Sequence, residues 1–236
     1  MSVLLEVVVQ SPADALVAEK AGANRLELVC AIETGGLTPT CAVAKAVCSA
    51  VKIPVRAMIR PRPGSFVYSE AEMQIMESEI DELAMAGCNG FVFGCLKSDL
   101  TVDETQCTRL IKCANGLPCT FHRAFDSVPD PLGSLETLIS LGFSTVLTSG
   151  QEVKSSDAIN LLRELVRLAD GRIEVLIGGK VRSYSVRNLI EKTGANAVHQ
   201  GPFKTEINDD LDKFNQGKKV FSNGIEIEKT RAALDS

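Results

Sequence analysis

No two of the eight cysteines in this chain, at 30, 41, 48, 88, 95, 107, 113 and 119, have C-x-x-C spacing. The strong signature of a zinc or dithiol redox site is therefore missing. The default state of each is a reduced thiol packed as a small hydrophobe. Histidine is scarce, with only His122 and His199 in 236 residues. No run approaches the ~20 apolar residues of a membrane span. No G-x-G-x-x-G follows the first apolar run, so the dinucleotide fingerprint is absent. Positive charge is not in excess: the formal net charge is −5, which argues against nucleic acid or an anionic membrane as partner. Met1 leads directly into apolar residues, with no basic n-region and no small-residue cleavage site, so the expected location is cytoplasmic.

What is present is alternation. With 45% hydrophobic and 23% charged residues the composition is that of a globular protein. Eight apolar runs read as strands: 5–9, 25–29, 55–59, 91–94, 119–123, 145–149, 173–178 and 196–200. Helix signals fill most of the gaps. Ser11-Pro12 and Gly22 bracket the first helix, Thr38-Pro39 opens the second, and Ser69 with Glu72 forms a capping box for the third. Asp130-Pro131 and Gly142 bracket the fifth, Ser156 and Gly171 the sixth, Ser183 and Gly194 the seventh. Eight βα units predict a (β/α)8 TIM barrel in one domain, 1–236. Residues 201–236 read as irregular, with turns at Asn215-Gln216-Gly217 and Asn223-Gly224 and a helix only over 226–234. The last barrel helix is therefore expected to be altered or incomplete.

In such barrels the chemistry lies at the C-terminal ends of the strands, and side chains alternate inward and outward. Polar residues late in apolar strands are thus the informative ones: Glu6, Glu27, Arg60, His122, Thr148 and His199, with Arg62, Asp126 and Ser149 just beyond. Parity turns Thr120 and His122 to the axis with Met58 and Arg60, and turns Phe121, Ala57 and Ile59 to the helices. A ring of mutually satisfied ion pairs would explain the charge balance. It would not explain why the polar groups come from so many strands at one end. Glu6, Glu27, His122, Asp126 and His199 are the candidates for moving protons. The guanidinium forks of Arg60 and Arg62 suit phosphate or carboxylate. The loop Gly178-Gly179-Lys180 after strand 7 could hold an anion with amides and a cation. Cys30 after strand 2 and Cys95 after strand 4 are the metal candidates, and thiolates with imidazoles suit Cu(I). Cys119 begins strand 5 and so points to the closed end.

The stretches AGANRLEL (21–28), GGLTPT (35–40), MIRPRPGSFVYSE (58–70), FHRAFD (121–126) and VLTSG (146–150) resemble those of the CutC family, in order along most of the chain. The resemblance implies a barrel with a displaced last helix, a role in copper homeostasis, Cu(I) as ligand, and a homodimer or higher homo-oligomer. Glu6, Glu27, Arg60, Arg62, His122, Arg123 and Asp126 match the family pattern. This chain departs from it at Val29, where the family has cysteine; here the cysteine comes one residue later, at Cys30. It also has Lys180 where the glycine turn usually continues, and Gln200-Gly201 after the last strand's histidine. Two readings follow: a copper-homeostasis protein, or an enzyme acting on a small phosphate- or carboxylate-bearing substrate.

Overall fold

Each apolar run becomes a parallel strand because its inward and outward side chains are both covered. The computed structural model describes residues 3–207 and 218–236. Its strands are β1 (Leu4–Val9), β2 (Arg25–Leu28), β3 (Val55–Met58), β4 (Gly90–Phe93), β5 (Cys119–Phe121), β6 (Thr145–Thr148), β7 (Glu174–Ile177) and β8 (Ala197–Gln200). They pair in sequence order and close, with Glu6 opposite Arg25 on one side of β1 and opposite His199 on the other. The helices α1 (Pro12–Lys20), α2 (Cys41–Ala50), α3 (Glu70–Met85), α4 (Glu104–Cys113), α5 (Pro131–Leu141), α6 (Ile159–Ala169) and α7 (Ser183–Thr193) form the outer ring.

Caps set most of the helix starts. Ser11 accepts from Asp14 N with proline at the first helical position. Ser69 and Glu72 form the expected capping box, and Asp130 accepts from Gly133 N. The sixth helix differs. Ser156 lies in a short 3-10 turn (Ser155–Asp157), and α6 starts at Ile159 without a side-chain cap. Burial of Leu162, Leu165 and Ala169 holds that helix instead. Strand 5 is also shorter than its apolar run, because a 3-10 turn (Arg123–Ser127) takes over after His122.

The layer between strands and helices holds most of the core, including Phe91, Phe93, Phe121 and Phe125, all fully buried. Each such side chain contributes about 1.5–3 kcal/mol by leaving water. Inside the barrel the filling is split. Val8, Val29, Met58 and Val92 form an apolar cluster. Beneath it lies a charged network: Arg25 pairs with Glu6 and Glu174, and Arg56 donates to Thr120 and Thr145 at 2.6 and 2.8 Å. Gly90 makes room for it, since a Cβ there would stand 3.1 Å from Arg56 Cγ.

The segment after β8 corrects the expectation of irregularity. A hairpin of β9 (Phe203–Ile207) and β10 (Lys218–Ser222) is followed by α8 (Gly224–Asp235), longer than predicted and packed between α7 and α1. The expected turn at Asn215-Gln216-Gly217 lies outside the described residues, and Asn223 is the cap of α8 rather than a free turn. Gln200 ties β8 to this helix through Thr230, at 2.9 Å, and Glu226 accepts from Ser183 N at 2.8 Å. The eighth helix is thus complete and displaced by an inserted hairpin. No helix among the described residues is long and apolar enough to cross a membrane.

Candidate active site at the barrel mouth

A cavity of about 320 Å³ opens at the C-terminal ends of the strands. Glu27, His199, His122, Arg60 and Lys180 reach it, and Met58 and Phe66 supply apolar wall. Glu27 comes from the inward parity of β2 and is 4% exposed. Its Oε1 has no hydrogen-bond partner, and its Oε2 lies 3.8 Å from His199 Nε2. Burial pushes its carboxyl up to about 7, against the pull of His199. On the other side of the ring, His199 Nδ1 is 2.9 Å from Glu6 Oε1. Burial draws the His199 imidazole down, but Glu27 and Glu6 together raise it above its ordinary value. Glu6 lies in the layer below the cavity. Burial opposes its charge, yet Arg25 and His199 outweigh that and hold it at about 2.

His122 caps the turn that follows β5. Its Nδ1 accepts from Ala124 N at 3.2 Å, so the ring proton sits on Nε2. That Nε2 is buried and has no partner. Burial, with the nearby Arg60, lowers the imidazole to about 3, so His122 is neutral and offers an N–H donor. Gly94 makes space for this ring: a Cβ there would stand 2.7 Å from Nδ1. Phe66 packs on it at 4.7 Å, and Arg60 lies over the same Phe66 at 5.0 Å.

The other expected residues fall into distinct places. Arg60 faces the cavity, but its terminal nitrogens bond the carbonyls of Thr34, Gly36 and Gly64; its Nε is unpartnered. Arg62 does not reach the cavity. It pairs with Glu72, bonds the carbonyls of Ser65 and Val67, and lies over Tyr68. Asp126 is taken up within its own neighbourhood, accepting from Thr148 Oγ1 at 2.6 Å, Ser149 N at 3.0 Å and Arg123 Nε at 2.7 Å. Thr148 and Ser149 thereby shape the β6 loop rather than line the cavity. Gly179 and Lys180 do line it, both at positive φ. Gly179 approaches Ser149 so closely that a Cβ would meet Ser149 Cβ at 2.6 Å. Gly178 lies just below, where a Cβ would meet Leu147.

Val29 points into the barrel beside Val8 and Met58, so Cys30 turns away, and its thiol donates to Thr38 O at 3.0 Å. Cys95 has no exposed surface and packs in the outer core. Burial pushes the Cys30 thiol up, and contact with Cys107 together with burial pushes Cys95 well up, so neither is prepared as a thiolate. These two residues do not fit Cu(I) as a joint site. The cluster of metal-capable side chains found among the described residues is Glu6, Glu27 and His199. That is a set of oxygen and nitrogen donors rather than the sulfur a cuprous ion favours.

Arg123, noted in the sequence only as a match to the family pattern, also lines the cavity, as do Arg182 and Phe203 of β9, which were not sequence candidates. The signal for Arg182 was present in its place two residues after Lys180, beside a loop already singled out. Phe203 belongs to a hairpin that no periodicity announced.

The CutC family model matches residues 3–204. The human copper homeostasis protein cutC homolog is 42% identical over 196 residues, covering 83% of this chain and 72% of that protein. A CutC family protein of Treponema denticola is 42% identical over 86% of this chain and 82% of its own length. The crystal structure of the Streptococcus agalactiae protein described as copper homeostasis protein CutC superposes with TM-score 0.81 at 32% identity, over 84% of this chain and 97% of that one. Phosphoribosylanthranilate isomerase of Thermotoga maritima, at TM-score 0.61 and 13% identity over 99% of this chain and 98% of that one, shares the fold alone. By family match, identity and structure together, this chain belongs to the CutC family.

Proposed function

We propose that this member of the family is an enzyme that binds a small phosphate- or carboxylate-bearing molecule at the barrel mouth and moves a proton on it. The observation that carries this reading is Glu27, a buried carboxyl with an unpartnered oxygen, held at about 7 and opening on the cavity. A group that titrates near neutrality suits general acid–base work. His199, 3.8 Å away, is the second resting place for the proton. The free N–H of neutral His122 would donate to an oxygen of the substrate as charge builds there. Arg123, Lys180 and Arg182 supply the positive rim for the anion.

The test is hydrogen exchange. The protein is incubated in D2O with a panel of small hydroxy-carbonyl phosphates and carboxylates, and loss of C–H signal is followed by NMR. Exchange on one panel member, abolished by Glu27→Gln, supports the reading. No exchange on any member, together with no binding of inorganic phosphate, removes it.

The relatives are named for copper homeostasis; a second reading is that this chain serves it by binding cuprous ion. Cys30 follows β2 and is half-buried, with its thiol turned to Thr38 O, so binding there would have to break that hydrogen bond. Competition for Cu(I) against a chelator tests it: unchanged affinity in Cys30→Ser takes Cys30 out of the site. A cytoplasmic homo-oligomer fits either reading, and its size is read by light scattering.

A further inference from the structure

Inside the barrel the charges cancel except at one residue. Glu6 and Glu174 offset Arg25 and Arg56. Glu27 and His199 share one proton, and His122 is neutral. Arg60 is left over. It lines the cavity and is 7% exposed, yet no carboxylate among the described residues pairs with it. The carbonyls of Thr34, Gly36 and Gly64 take three of its five N–H groups and bring no net charge. Nε–H and one N–H of Nη2 remain. A buried cation of this kind calls for an anion beside it, and the described residues do not supply one.

The facing wall carries more charge. Lys180 and Arg182 follow β7, which stands four strands from β3 in the ring of eight, directly across the barrel. Both line the cavity, and neither pairs with a carboxylate among the described residues; Arg182 Nη1 donates to Val181 O at 2.7 Å. Two cations suit a phosphate ester, which carries about −1.5 to −2 at neutral pH. One guanidinium with two N–H groups to spare suits the two oxygens and single charge of a carboxylate. Glu27 on β2 and His199 on β8 flank β1, and His122 follows β5, across the ring from β1. The groups that handle the proton therefore stand crosswise to the line from Arg60 to Lys180. We propose that the molecule taken at the mouth is a short phosphorylated carboxylic acid, with its carboxylate on Arg60, its phosphate on Lys180 and Arg182, and its middle carbons between Glu27–His199 and His122. A cavity of about 320 Å³ is at the small end for ligand sites, so the chain joining the two anions is short. The inference rests on the enzyme reading above and narrows its substrate from either anion to both.

The experiment is calorimetric titration of the full chain with 3-phosphoglycerate, 4-phosphoerythronate and 6-phosphogluconate. Each is compared with the alcohol phosphate that has CH2OH in place of its carboxylate. At least one acid should bind roughly 10- to 100-fold more tightly than its alcohol, the worth of a hydrogen bond to a charged group. Arg60→Gln should erase that difference. Lys180→Gln and Arg182→Gln should weaken acid and alcohol alike and keep it. Where Arg60→Gln fails to fold, Arg60→Lys keeps the charge but lacks Nε–H and should still shrink the difference. Phosphates that bind with no preference for the acid, or a preference that survives the Arg60 variants, overturn the pairing and leave the proton-transfer reading standing. A preference lost at Arg60 without hydrogen exchange on the bound acid supports the pairing and counts against the proton transfer alone. If no probe binds, the pairing falls, and the parent reading falls with it where inorganic phosphate is also refused and no exchange is seen.

Discussion

His199 stands between two glutamates of opposite character, with Nδ1 2.9 Å from Glu6 Oε1 and Nε2 3.8 Å from Glu27 Oε2. Glu6 also pairs with Arg25 and stays ionised. Glu27 has an open oxygen and is held near neutrality. Below the cavity, Glu6 and Glu174 balance Arg25 and Arg56. One exchangeable proton is then left for His199 and Glu27 to share. The ion-pair ring and the reactive pair are therefore parts of one structure: the ring satisfies the floor, and its last member hands a single imidazole to the open carboxylate.

That division predicts two different glutamate variants. Glu6→Gln leaves Arg25 and His199 short of a buried anion, and breaking such a pair costs about 3–5 kcal/mol. Urea unfolding should show that loss. Glu27→Gln removes no formed hydrogen bond and should change stability at pH 5 by less than about 1 kcal/mol, while abolishing hydrogen exchange on any active panel compound. Equal destabilisation by both would mean that Glu27 is only part of the ring.

Much of this site was legible because strand parity is local. Glu27, His122 and His199 are late polar residues in apolar runs, and the two-residue period placed them inward with Met58 and Thr120. Arg25, Arg56 and Glu174 escaped notice because they come early in their strands, where a charge reads as the edge of the run. Arg62 looked like half of an anion clamp, yet Glu72, already visible as the capping-box residue, lies where it captures that guanidinium. Asp126 looked catalytic, but besides nearby Arg123 its partners are Thr148 and Ser149 at the end of β6, more than twenty residues away, and no spacing rule shows that. The hairpin after β8 was illegible for a similar reason: it is anchored by Asp14 Oδ1, which accepts from Ser222 N at 2.7 Å across nearly the whole chain.

His122 and Glu27 oppose each other in pH dependence. His122 is held at about 3 against 6.5 when unfolded, so its contribution is full above pH 6.5 and is lost as pH falls toward 3. Glu27 is held at about 7 against 4.5, so its contribution is full below pH 4.5 and is lost as pH rises through 7. Between pH 4.5 and 6.5 the two slopes cancel. Glu27→Gln should expose the histidine, with stability rising by up to about 1.4 kcal/mol per pH unit across that window. His122→Phe should expose the glutamate, with stability falling instead. Urea midpoints measured at pH 4.5, 5.5 and 6.5 in each variant check the signs.

Gly94→Ala tests the seat of the His122 ring. The new Cβ would meet Nδ1 and Cε1 at 2.7 and 2.8 Å, and Phe66 and Phe121 close off retreat. Overpacking of this kind costs about 1–3 kcal/mol. It should also displace the Nε2 donor, so exchange should fall at least tenfold even where the variant is fully folded. A folded variant with wild-type exchange would remove His122 from the chemistry.

Two of the three basic candidates of the sequence, Arg62 and Lys180, should separate cleanly when inorganic phosphate is titrated by calorimetry. Lys180 lines the cavity, so Lys180→Gln should weaken phosphate binding about 5- to 20-fold. It should also flatten the salt dependence, since one exposed charge fewer is screened. Arg62 is held by Glu72 and three loop carbonyls, away from the cavity. Arg62→Gln should leave phosphate affinity within twofold. Its effect belongs to the loop: Glu72 keeps its capping box with Ser69 but loses its ion-pair partner, so the thermal midpoint should fall only slightly. The reverse pattern, with affinity lost at Arg62 and kept at Lys180, would move the anion out of the barrel mouth and onto the β3–α3 loop.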